Sequence, residues 1–153
     1  MKKFFRMQVV GVVLGCWLVA GAQQDGGMWR AQSKSARTIT GDIALSSSKI
    51  SINFLQFTIV PMRALEKSEI SAVFNPDTEP TGSGNLYRTD IDGMRKFLHK
   101  NTLCGNENVE WMATYVSGKT LEVALFSGQK QPVMTAEALM NSTDMCGIFS
   151  YER

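Results

Sequence analysis

Much of what enzymes and nucleic-acid binders display is scarce in this chain. It has one histidine, His99, among its 153 residues. A histidine general base therefore has a single candidate. That candidate stands beside Lys100 at the expected end of a short helix, where an imidazole interacts well with the helix carbonyls and needs no catalytic role. Its three cysteines, Cys16, Cys104 and Cys146, are far apart. Neither Cys104 nor Cys146 has a cysteine or histidine at ligand spacing, which argues against a metal site or a catalytic thiol.

Phosphate-binding and nucleophile motifs are missing too. Gly82-Ser83-Gly84 is followed by no Gly-Lys-Ser/Thr, so it makes no phosphate cradle. It also lacks the Gly-x-Ser-x-Gly spacing of a nucleophile elbow. Asp90-Ile91-Asp92-Gly93 begins like a calcium loop, but Asn101 stands where the bidentate glutamate belongs. No pair of acids is singled out for glycoside chemistry. No cofactor and no metal is expected.

What is present first is an export signal. Lys2, Lys3 and Arg6 give a positive start without acids, Val9 to Val19 is apolar, and Ala20-Gly21-Ala22 offers small residues for a signal peptidase. The apolar run, about 11 residues, is far short of the ~20 that a spanning helix needs. Residues 1–22 are thus expected to be removed, leaving a periplasmic or secreted protein. The alternative is processing at Val13-Leu14-Gly15-Cys16, with a lipid anchor on Cys16 and hence membrane attachment. Against it, the apolar Trp17-Leu18-Val19-Ala20 would follow the cysteine, where a polar tether is usual.

Simple cleavage also makes the cysteines even. Cys104 and Cys146 remain, and an oxidising compartment would join them as a disulfide. Charge changes as well. The full chain has 16 basic and 14 acidic side chains. Without Lys2, Lys3 and Arg6 that becomes 13 against 14, a net charge of −1. With no basic cluster recognised in the sequence, no nucleic-acid partner is expected.

The remaining stretch fits one domain. Residues 23–36 read as a flexible polar segment, with Trp29 packing on a domain edge, and 37–153 as a single β-rich domain. Thr38 to Leu45 is rich in β-branched residues, and Ser46-Ser47-Ser48 makes a turn. Ile50, Ile52 and Phe54 then alternate with Ser51 and Asn53, which predicts one buried face. Gln56 to Val60 continues as strand. Ser68 and Glu69 predict a short helix start, with Ile70, Val73 and Phe74 on one side and Asn75-Pro76 as its stop. Residues 75–85, with two prolines and two glycines, predict a surface loop before a short strand, Leu86 to Thr89. A second helix is expected from Asp90 or Asp92, with Ile91, Met94, Phe97 and Leu98 inward. Val109 to Val116 and Leu121 to Phe126, joined by Ser117-Gly118-Lys119, predict an antiparallel hairpin. A helix capped by Thr135 and a last strand from Met145 to Tyr151 complete the chain. The expected class is mainly antiparallel β (α+β): a small bent sheet or barrel with two or three short helices and one disulfide.

Two functions follow as expectations. One is an exported, non-enzymatic periplasmic binding module, contacting a protein partner (as an inhibitor or assembly accessory) or a small ligand. Its contact site would be loop 75–85 with Ser83, Asn85, Tyr87 and Arg88, since exposed loops on a rigid scaffold carry function and Arg and aromatics anchor interfaces. The other is a small periplasmic hydrolase using carboxylates or Ser83 with His99.

Overall fold

A computed structural model describes residues 25–75 and 79–153. Residues 1–22, expected as a signal segment, and with them Cys16 lie outside the described residues. The strands are β1 (Gly27–Ala31), β2 (Ile43–Leu45), β3 (Lys49–Ile52), β4 (Leu55–Ala64), β5 (Ser83–Ile91), β6 (Val109–Ser117), β7 (Thr120–Phe126) and β8 (Met145–Glu152). They form a closed antiparallel barrel in sequence order, with β1 closing on β8 through Arg30↔Glu152 and Ala31↔Tyr151. Closure leaves no long unpaired edge among the described strands, which removes a template for pairing with other chains. The barrel is bridged by the Cys104–Cys146 disulfide.

An eight-stranded barrel has an interior just wide enough for side chains to fill. Trp29, Tyr87, Met112, Phe149 and Tyr151 fill this one, with Ile43, Ile50, Ile52 and Ile59. A second core lies outside the wall. The helix α1 (Lys67–Phe74) lays Ile70, Val73 and Phe74 over Leu86, Trp111, Ala113, Tyr115, Ala124 and Phe126 on β5–β7. The short helix α2 (Ala136–Met140) lies beside α1. The β6–β7 hairpin therefore alternates between two buried faces, and Trp111 and Tyr115 pack under α1 rather than in the lumen. Apolar residues line the inside and helices cover part of the outside, the reverse of the polarity of a barrel that faces lipid.

Several expectations change. Residues 27–31 are a strand of the barrel, and Trp29 is a lumen residue because its indole Nε1 donates to the Asp25 carbonyl at 2.8 Å and turns the ring inward. Thr38 to Thr40 belong to a single π-helical turn, Ala36–Thr40, so β2 is only three residues long. The α-helix expected to start at Asp90 or Asp92 does not form. Ile91 ends β5, and residues 92–100 turn, closing with one 3₁₀ turn at Leu98–Lys100. The Asp92 carboxylate accepts from the Met94 N–H at 2.7 Å, which favours an Asx turn over an N-cap. Gly82, Ser83 and Gly84 are not a flexible loop tip: Ser83 begins β5. A Cβ on Gly82 would stand 1.7 Å from the Val116 carbonyl oxygen, and one on Gly84 2.7 Å from that of Thr114. Both glycines are there for close approach of β5 to β6.

Candidate binding surface

The up-and-down order gives the barrel two ends. One holds Asp25, the C-terminal residues, the start of β5 and the β6–β7 turn. The other holds the connections β1–β2, β3–β4, β5–β6 and β7–β8, and here the disulfide ties the β5–β6 connection to the start of β8.

This arrangement separates Ser83 from His99. Ser83 begins β5 at the Asp25 end, paired with Val116, whereas His99 lies in the β5–β6 connection at the disulfide end. The eight steps of β5 between Ser83 and Ile91 span roughly 26 Å at the usual rise. No proton can pass directly between the two side chains, so this pair does not form a nucleophile and its base.

The four predicted binding residues do not form one surface: Asn85 and Tyr87 meet inside the barrel, while Arg88 faces out and Ser83 lies at the mouth. Tyr87 points into the lumen and is 2% exposed, which takes it away from the outer surface. Asn85 also faces the lumen, where its Nδ2 donates to Asp25 Oδ2 at 3.2 Å. Arg88 faces out. Its guanidinium lies 4.8 Å from the Trp111 ring centroid and pairs with the Glu110 carboxylate. It lines a shallow cavity of about 420 Å³ with Thr58, Val60, Thr89, Asp90 and Glu110. Ser83 is exposed at the barrel mouth.

The disulfide end offers a different arrangement. Asn53 and Phe54 form a two-residue turn between β3 and β4, with φ of 47° and 66°. Positive φ at both central residues marks a type I′ turn, whose second position normally takes glycine. Here it takes a phenylalanine that is 99% exposed. Alternation predicts that Phe54 shares the buried face of Ile50 and Ile52. The chain instead reverses directly after Ile52, so the alternation stops there.

Phe54 stands at the edge of a groove of about 450 Å³, lined also by Met28, Thr40, Ile43, Asn53 and Leu98. Across the groove, His99 and Lys100 also have positive φ, 53° and 62°. Four of the five described non-glycine residues with positive φ thus gather at this end; the fifth, Asn75, is the C-cap of α1. Residues held in sparsely populated conformations concentrate at ligand clamps and switch regions. The β5–β6 connection adds the cations Arg95, Lys96 and Lys100, all exposed, beside the exposed His99 imidazole. Met94, 63% exposed, extends the apolar surface.

Sequence reasoning missed this surface. Asn53 is a good first residue for a type I′ turn, but the phenylalanine in the usual glycine position hides the turn. Among the described residues, no three His, Cys, Asp or Glu side chains gather as metal ligands, and no helix is long and apolar enough to cross a membrane. Comparison of the chain with protein-family models, with curated proteins and with solved structures finds no match.

Proposed function

We propose that this chain is an exported, non-enzymatic binding module that engages a protein partner through the disulfide end of its barrel. The observation that carries the reading is Phe54: a large apolar side chain, wholly in water, held on a backbone conformation that costs a phenylalanine stability. Folding gains nothing from it there. An interface does, because aromatic anchors that enter a partner's pocket supply most of the energy of such contacts.

The groove beside Phe54 would receive an apolar side chain in return. The rim of Arg95, Lys96 and Lys100 suits a partner with acidic groups around that pocket, which would orient the encounter and speed it. A small ligand inside the barrel has less support, since large side chains fill the lumen. Export is supported by the sequence of residues 1–22 and by the Cys104–Cys146 bond, which an oxidising compartment favours.

The test is recovery of partners from a cell-envelope extract of the host, using the tagged protein and its Phe54→Gly variant. A protein retained in stoichiometric amount by the parent and lost from Phe54→Gly supports the reading. Equal recovery by both, or none by either, overturns it.

A further inference from the structure

At the end of the barrel opposite Phe54, three side chains from the wall converge on one carboxylate oxygen. Tyr87 Oη donates to Asp25 Oδ2 at 2.6 Å, Thr114 Oγ1 donates to the same atom at 2.8 Å, and Asn85 Nδ2 does so at 3.2 Å. Asp25 is 3% exposed, and Thr114 and Tyr87 are equally hidden. The three donors come from adjacent strands, with Asn85 paired to Thr114 across the β5–β6 ladder. They belong to a rigid wall.

Asp25 is held differently. It precedes β1, and its chain enters the lumen over Gly26 and Gly27, the latter at φ 121°, a conformation open to glycine and strained for other residues. Its carbonyl accepts from Trp29 Nε1, and the next carbonyl, that of Gly26, accepts from Arg153 at 3.1 Å. The carboxylate is therefore brought to a preformed set of donors by the short segment that leads into β1. A carboxylate is acceptor-only and can take several hydrogen bonds, and such charge-assisted bonds are short, as the first two here are. A neutral hydroxyl or amide in its place would leave donors competing or unpaired.

We propose that Asn85, Tyr87 and Thr114 form a carboxylate-binding site at this end of the barrel, which the chain fills in cis with Asp25. The ligand class is a small monocarboxylate, or the carboxylate of a larger molecule presented end-on. The cis carboxylate is tethered at high effective concentration, so the parent protein does not bind free carboxylate at millimolar levels. This site is remote from the Phe54 groove and independent of the partner reading.

The experiment uses sodium formate as the probe, since formate fits the space left by Asp25→Ala. Thermal unfolding is followed for the parent, Asp25→Ala and Asp25→Ala/Tyr87→Phe, in formate and in sodium chloride at equal ionic strength. A ligand that binds only the folded form raises the midpoint progressively with its concentration. The expected result is a formate-specific rise of at least about 3 °C for Asp25→Ala, no such rise for the parent, and a much smaller one for the double variant. Should Asp25→Ala fail to fold in chloride, refolding from denaturant is compared in the two salts. Native near-ultraviolet dichroism recovered only in formate then supports the site. No difference between formate and chloride for Asp25→Ala, or an equal rise in the parent, overturns it.

Discussion

Tyr87 and Asp25, 62 positions apart in the chain, are joined by a 2.6 Å hydrogen bond inside the barrel. Burial, and after it the Asp25 carboxylate, hold the Tyr87 phenol well above its ordinary pKa, so it stays a donor across the physiological range. Tyr151, also raised chiefly by burial, shares its hydroxyl with the neutral Thr40 at 2.8 Å. The two tyrosines are thus a matched pair that differ in the charge of the partner. Tyr87→Phe should cost about 1.5–3 kcal/mol, the range for a hydrogen bond to a charged group, and Tyr151→Phe about 1 kcal/mol. Denaturant unfolding of both variants checks the order. Equal losses would mean that the Asp25 contact has no charge-assisted strength.

The disulfide acts on the other end. Cys104 lies in the β5–β6 connection and Cys146 near the start of β8, and they are 42 positions apart. Cross-linking a loop of this length removes chain entropy from the unfolded state worth about 4 kcal/mol in the simplest treatment. Cys104→Ala/Cys146→Ala should lower stability by about 2–4 kcal/mol, read by denaturant unfolding without reductant. The same bond steadies the connection that carries His99 and Lys100. Partner recovery should therefore fall in the double variant even under conditions where it remains folded.

Two glutamates should give pH profiles of opposite sign. Glu69 accepts both terminal nitrogens of Arg63 at 2.7 Å, and that hydrogen bonding holds its carboxyl below the ordinary value. The folded state then binds the proton less readily than the unfolded one. The contribution is present at neutral pH and is lost as pH falls through the depressed folded value. Glu122 is opposite: burial raises its carboxyl, and a hydrogen bond with Ser150 only partly offsets this. Its folded form keeps a proton that the unfolded form has lost, so stability declines as pH rises through that window. Glu69→Gln should therefore be less stable than the parent at pH 7, by under about 1 kcal/mol for so accessible a pair. Glu122→Gln should be more stable there. Both differences should shrink below about pH 4, where carboxyl groups are largely protonated in the unfolded chain. Urea unfolding across pH 3–8 measures them, and parallel profiles would refute the assignment.

How far the sequence could be read depended on whether neighbours along the chain or distant strands decided the outcome. The β6–β7 hairpin is local: alternation over Val109–Val116 and the Gly118 turn define it, and it forms as expected. The helix capped by Thr135 is local too, and the Thr135 hydroxyl accepts from the Ala138 N–H at 3.2 Å. The disulfide followed from arithmetic on three cysteines. Where reading failed, the controlling contact was remote. The segment Gly27–Ala31 looks like a polar leader, yet it is recruited as a strand because β2 and β8 both need a partner to close the barrel. Asn85 and Tyr87 read as binding residues beside a surface loop, whereas the parity of a strand running from Ser83 turns both inward, and no local signal sets that parity. Arg88, one position on, does face outward.

Phe54 provides the sharpest test, because folding and binding should respond to it in opposite directions. Its φ of 66° costs a side-chain-bearing residue about 1–2 kcal/mol relative to the right-handed region, whereas glycine bears no such penalty. The side chain is fully exposed, so removing it loses almost no burial. Glycine does lose more backbone entropy on folding, which offsets part of the gain. Phe54→Gly should then be more stable than the parent by about 0.5–1 kcal/mol, with the turn becoming the favoured Asn-Gly pair. A higher midpoint in urea together with lost partner recovery would mark Phe54 as kept for contact rather than for folding. A loss of stability instead would mean that the phenylalanine packs against the groove wall beside Leu98 in solution, and the case for an exposed anchor would fall with it.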